Sequence, residues 1–148
     1  MKIEAPTNAS DPEWLALRIR LWPHASESEH LREMADVFER QHYVRLAFAP
    51  DGSALGFVEA SKRVDYVNGT SSSPVAFLEG LYVEVAARRK GVARALVADV
   101  ERWAALEHCG ELASDSPLEN GAAHAAHRAL GFEETERVVY FRRAVHAA

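Results

Sequence analysis

The sequence predicts a mixed α+β fold, and three features of its patterning predict it. Apolar residues recur at helical intervals in the N-terminal third, over residues 10–22 and again over Ser28–Arg40. Two strand-like runs, Tyr43–Ala49 and Ala54–Arg63, flank the turn residues Pro50-Asp51-Gly52-Ser53. The stretch Val75–Ala93, VAFLEGLYVEVAARRKGVA, then carries a short apolar run through a basic cluster into a new helical pattern.

Taken in order, Lys2–Ala5 reads as a short edge strand. Ser10-Asp11-Pro12-Glu13 reads as a helix start, with a capping-box spacing from Ser10 to Glu13 and a proline in the first turn. Trp14, Leu15, Leu17, Arg18 and Leu21 continue that helix until Pro23 stops it, with Trp22 at the stop as a packing anchor or a ligand platform. Ser26 and Glu29 repeat the capping spacing ahead of Leu31, Met34, Ala35, Val37 and Phe38. The hairpin of residues 43–63 and a strand from Val75 form an antiparallel meander, separated by the polar loop Asp65–Pro74. Loops of that composition often carry binding residues, and Tyr66 is an amphipathic contact residue placed there. Val92–Glu107 is expected as a helix with Val92, Leu96, Val100 and Trp103/Ala104 on one face, followed by a strand at Glu111–Ser114. Asn120 caps a helix over Gly121–Leu130, and the alternation after Phe132 predicts a closing pair of strands.

At 148 residues the chain is expected to be one domain, with a core that needs no staples. Its formal charge of −5 disfavours nonspecific nucleic-acid binding and suits cationic ligands. Cys109 stands alone, so no internal disulfide forms. MKIEAPTNAS lacks a hydrophobic signal core and no run reaches membrane-spanning length, so a cytoplasmic protein is expected, with no membrane partner.

The basic cluster Arg88-Arg89-Lys90 followed by Gly91-Val92-Ala93 places a glycine at a helix N-terminus. There backbone N–H groups approach an anion closely and the dipole favours negative charge, which describes a pyrophosphate cradle. The order R-x-x-G-x-A, supplied by Arg88, Gly91 and Ala93, resembles the acyl-CoA-binding signature of the GCN5-related N-acetyltransferases. Asn120, His127 and Leu130-Gly131-Phe132 resemble the second signature of the same superfamily, with His127 where a tyrosine commonly stands. Within it, the blocks Leu21-Trp22-Pro23, Asp65-Tyr66-Val67-Asn68-Gly69, Phe77-Leu78-Glu79-Gly80, Ala113-Ser114-Asp115 and Gly131–Val138 resemble the aminoglycoside 6′-N-acetyltransferases over nearly the whole chain.

That resemblance implies a twisted mixed sheet flanked by helices, with acetyl-CoA wedged where two central strands splay apart, and a homodimer. It implies an aminoglycoside site lined by Trp22, Tyr66, Glu79, Asp115 and Glu136. The acetyl-CoA site would use Leu81, Tyr82 and Val83, the turn of Arg88, Arg89, Lys90, Gly91, Val92, Ala93 and Arg94, and Asn120. No metal is implied.

Polycationic aminoglycosides call for carboxylates, and Glu79 interrupts a run otherwise apolar on both faces, where a buried carboxylate needs a partner or a function. Trp22 and Tyr66 offer stacking or cation–π faces. The expected reaction is direct attack of the free 6′-amine on the thioester, with Glu79 or Asp115 taking the proton directly or through water. Either carboxylate also favours the charged ammonium, so binding is the primary role expected of both. A backbone N–H near Leu81 or Tyr82 would stabilise the oxyanion. His127 is either the acid for the leaving thiolate or a structural histidine of its helix face. Two readings compete: an acetyltransferase for a polyamine or protein amine, and an acyl-CoA sensor without catalysis. The acidic and aromatic blocks weigh against the first, and retention of both cradle and acceptor site against the second.

Overall fold

The structure is a computed structural model that describes residues 1–147. The chain forms two compact units, the first running to Asp115 and the second starting at Ser116.

In the first unit a five-stranded sheet has the order β1 (Lys2–Glu4), β2 (Tyr43–Phe48), β3 (Ala54–Arg63), β4 (Val75–Val83), β5 (Leu112–Ala113). The first four strands are antiparallel and follow chain order, as a meander does, while β5 joins β4 in parallel after the crossover helix α3 (Val92–Leu106). Strand alternation sorts the side chains. Val44, Leu46 and Phe57 point to one face and form a core with Trp14 and Leu17 of α1 (Pro12–Leu21) and Met34 of α2 (Glu27–Glu39). Tyr43 points to the other face, where its ring stacks on Trp103 of α3 at 4.9 Å and its hydroxyl donates to Asp99 at 2.5 Å. Val92, Leu96, Val97, Val100 and Ala104 form the buried stripe of α3.

The first helix starts differently from the expected capping box. Asp11, not Ser10, is the N-cap: its Oδ1 accepts from the Glu13 and Trp14 N–H groups at 2.9 and 3.3 Å. Ser10 is instead tied back to Asn8. A carboxylate takes two of the helix's orphan donors at once, and Pro12 follows at the first helical position. The second helix keeps its expected cap, with Ser26 Oγ accepting from the Glu29 N–H at 3.1 Å.

The second unit contains α4 (Gly121–Ala129), capped by Asn120, whose side chain accepts from the Ala123 N–H at 3.0 Å. The closing strand pair expected after Phe132 is absent. Residues 130–147 have no helix or strand, because no strand among the described residues pairs with them and an unpaired alternating segment is not a strand. This arm leaves Tyr140, Phe141 and Val145 82, 92 and 96% exposed.

Candidate active site

The site is organised by a bulge in β4. Glu59 faces Gly80 and Ala60 faces Leu78, so Glu79 is the extra residue with no partner on β3. Its carboxylate accepts from Ser61 Oγ at 2.6 Å and pairs with Arg63 at 2.8 Å. Glu59, Ser61 and Arg63 alternate along one face of β3, so the bulge turns Glu79 to the face that carries α1. The polar interruption noticed in the sequence is therefore half-buried and ion-paired. Arg63 also covers the Phe77 ring at 3.7 Å.

Gly80 explains itself through Trp22. A Cβ on Gly80 would lie 2.5 and 2.8 Å from two carbons of the Trp22 ring, so the indole rests directly on the glycine. Trp22 also meets Phe57 edge-on at 6.1 Å. An aromatic ring from the end of α1 and a carboxylate of β4 thus stand side by side, a pairing able to hold a cation.

The other side of β4 is where backbone becomes available. The β4–β5 ladder covers only Ala76 and Phe77, and beyond it β4 runs on to Val83 without β5 beside it. The ladder thus stops where the family resemblance expects the two strands to part. The Glu84 N–H donates to Leu55 C=O at 2.8 Å, so Glu84 and Tyr82 point their N–H groups toward β3, and those of Leu81 and Val83 point outward. Of the two donors expected near the reacting carbonyl, Leu81 has the open direction and Tyr82 is committed to the sheet.

Downstream, a 3-10 turn (Val85–Ala87) leads to Arg88, and Arg89 and Gly91 take left-handed backbone at φ 63° and 86°. Gly91 caps α3 with no side-chain hydrogen bond, which leaves the first N–H groups of the helix, at Val92, Ala93 and Arg94, for an anion. Arg89, Lys90 and Arg94 are exposed around them. These donors fit the pyrophosphate and pantetheine amides of acetyl-CoA. Arg88 turns the other way, and its Nε donates to Val83 C=O at 2.9 Å, tying the turn to the end of β4.

Of the remaining predicted residues, Tyr66 is exposed on a loop held by buried Val67, which packs with Val75 and Phe77. Asp115 is exposed two residues beyond the Phe77–Ala113 pair. Asn120, His127 and Glu136 belong to the second unit. Asn120 spends its side-chain oxygen as a helix cap. His127 Nδ1 lies 2.7 Å from Ala123 C=O, and a carbonyl only accepts, so a neutral ring keeps its proton on Nδ1. Glu136 is exposed on the arm.

Sequence reasoning missed Ser61, Arg63 and the buried group of Arg18, His30 and Glu59. The signal was present in β3, where Glu59, Ser61 and Arg63 alternate with apolar or outward positions and mark a polar stripe on one sheet face. Burial pushes the thiol pKa of Cys109 up, which disfavours its thiolate.

Comparison with known proteins agrees with this geometry. The model of the acetyltransferase (GNAT) family matches residues 12–132. Aminoglycoside N(6′)-acetyltransferase type 1 of Acinetobacter haemolyticus is 47% identical over 98% of this chain and 99% of the relative. The enzyme of the same name from Stenotrophomonas maltophilia is 52% identical over 95% of this chain and 91% of its own. The crystal structure of apo aminoglycoside antibiotic 6′-N-acetyltransferase AAC(6′)-IG from Acinetobacter haemolyticus superposes with a TM-score of 0.93, at 47% identity, covering 99% of this chain and 100% of that one. AAC(6′)-Iy, solved with the bisubstrate analogue CoA-S-monomethyl-acetylneamine, gives a TM-score of 0.89 at 43% identity over 97% of this chain and 98% of that one. The outward amides, the uncapped helix start and the Trp22–Glu79 face are thus set in the GNAT acetyltransferase fold, and the chain belongs to the aminoglycoside 6′-N-acetyltransferases of the GNAT family.

Proposed function

We propose that this chain acts as a single N-acetyltransferase domain, moving the acetyl group of acetyl-CoA to the 6′-amine of an aminoglycoside. The observation that carries this reading is the meeting, on one strand, of the Trp22 ring and Glu79 carboxylate with the outward N–H groups of Leu81 and Val83. The family model runs unbroken across both compact units, which supports one functional domain. The enzyme works in the cytoplasm, where acetyl-CoA is supplied, and gives its bacterial host aminoglycoside resistance. It works as a homodimer, a reading supported by the apolar arm around Tyr140 and Phe141, which a second copy would cover.

Glu79 and Asp115 draw in the ammonium groups, and Trp22 and Tyr66 complete the acceptor site. The 6′-ammonium loses a proton to water or to one of these carboxylates, and the free amine attacks the thioester carbonyl. The Leu81 N–H donates to the carbonyl oxygen as negative charge builds there. The C–S bond breaks as the nitrogen gives up its second proton to water, and the leaving thiolate takes a proton from solvent. No acyl-enzyme is formed.

Thiol release from acetyl-CoA tests the reading, with tobramycin or kanamycin beside the matching 6′-hydroxyl compound and spermidine. Turnover confined to the 6′-amine is expected. Faster turnover with spermidine, or acetyl-CoA binding without turnover, would overturn it.

A further inference from the structure

Beneath the Trp22 ring lies a buried polar group that the reaction does not use. Arg18 and His30 are 2 and 0% exposed, and Glu59 is 3% exposed. Glu59 accepts from Trp14 Nε1 at 2.9 Å and pairs with Arg18, which also pairs with Glu33. Arg18 Nε donates to His30 Nδ1 at 3.3 Å. A guanidinium N–H only donates, so Nδ1 is the acceptor and Nε2 carries the imidazole proton. That Nε2–H lies 3.0 Å from the backbone carbonyl of Trp22 and donates to it. The Arg18 guanidinium carbon sits 4.7 Å from the centre of the Trp22 ring. Trp22 is therefore held three ways: from its carbonyl by His30, over its ring by Arg18, and against the floor of Gly80.

We propose that His30 is a positioning residue for aminoglycoside binding. Locked as its Nε2–H tautomer by Arg18, it fixes the backbone of Trp22 at the end of α1 and so fixes the indole face presented beside Glu79. The need is local. Trp22 is the C-cap residue of α1, with φ −124° and ψ 70°, and Pro23 follows it, so no helical turn continues to take its carbonyl. The Ala25 N–H reaches that carbonyl from the following loop at 3.3 Å, and His30 adds a second, shorter donor from α2 at 3.0 Å. The Glu59 carboxylate in turn anchors Arg18, so the fixing chain runs from β3 through α1 to α2 and back to the aromatic face. This inference rests on Trp22 being part of the acceptor site.

Three variants separate the two claims. Trp22→Ala tests the acceptor reading itself and should raise the aminoglycoside KM by about tenfold, the scale of one cation–π face. His30→Leu should raise the same KM comparably and leave the acetyl-CoA KM unchanged. His30→Gln, whose amide can both accept from Arg18 and donate to Trp22 C=O, should restore it to within about twofold. Adding His30→Leu to Trp22→Ala should change the KM no further, because the histidine acts through the indole. An unchanged KM in Trp22→Ala overturns the acceptor reading. A raised KM in Trp22→Ala with a folded His30→Leu enzyme at wild-type KM overturns the positioning role alone, as does additivity in the double variant. If His30→Leu does not fold, imidazole ¹⁵N shifts of the wild-type protein decide, with His30→Gln identifying the signal. A neutral Nε2–H ring upholds the proposal, and an Nδ1–H or charged ring overturns it.

Discussion

Gly80→Ala probes the site with a single methyl. Gly80 has ordinary strand backbone, so alanine brings no dihedral strain, and its only consequence is space. Its Cβ would stand 2.5 Å from one Trp22 ring carbon and 2.8 Å from another, with a Leu21 methyl at 3.3 Å. Carbon contacts are favourable only from about 3.5 Å, so the indole must lift by about 1 Å. Trp22 cannot do so freely, because its carbonyl is held by His30 and its ring also meets Phe57. Overpacking of this kind costs about 1–3 kcal/mol. The expected result is a stability loss in that range by urea unfolding and an aminoglycoside KM raised by about tenfold, with the acetyl-CoA KM near wild type. Gly56→Ala is the natural contrast. There the added Cβ would meet the Tyr82 carbonyl oxygen at 2.4 Å, and a ladder carbonyl has nowhere to swing, so the loss of stability should be larger. Wild-type stability and KM in Gly80→Ala would refute the placement of the indole on the glycine.

Other perturbations test the remaining assignments. Glu79→Gln keeps the size and the Ser61 contact but removes the charge, so aminoglycoside KM should rise by about tenfold or more while acetyl-CoA binding holds, as read by steady-state kinetics. Asp11→Ala should cost about 1–2 kcal/mol as a lost N-cap. Burial pushes the Asp11 pKa up, but hydrogen bonds from Thr7, Trp14 and Glu13 outweigh it and hold it below its ordinary 3.8. Its contribution is therefore present above the unfolded value and lost as pH falls through the folded one, so the stability gap between wild type and Asp11→Asn should shrink on acidification in urea titrations. Burial and the Asp99 hydrogen bond push Tyr43 up to about 12, so ultraviolet titration should show one late phenol that Tyr43→Phe removes. That stabilisation is intact below the unfolded value of 10.0 and lost as pH rises through the folded one. Paired Tyr140→Asp and Phe141→Asp changes should halve the mass seen by light scattering if the arm is the dimer contact.

Most of the frame was legible because local periodicity and burial agree. The hairpin, the return strand Ala54–Arg63 and the start of α3 at Val92 fall where the pattern puts them. The arm is the counterexample: its alternation is as regular as that of β3, yet a strand is a property of two partners and periodicity reports only one. The site was legible as residue types but not as geometry. Glu79 stood out as a carboxylate in an apolar run, and the bulge that turns it onto the α1 face leaves no local sequence mark. A register shift arises from how two distant strands pair, and Gly80 beside it reads equally as a flexible point or as a ring's floor until Trp22 is in place. The polar stripe of β3 joins these facts. Glu59 is buried and anchors Arg18, whereas Ser61 and Arg63, two and four residues on, hold Glu79. One strand face thus passes from a carboxylate that fixes the aromatic wall to side chains that fix the carboxylate beside it. Arg63 already occupies the place of a cation at Glu79, so a substrate ammonium bound there, as proposed, would share or displace a guanidinium rather than meet an empty acid. On the proposed reading the acceptor site carries its countercharge in place, and selectivity for polycations would follow from what can outcompete one arginine.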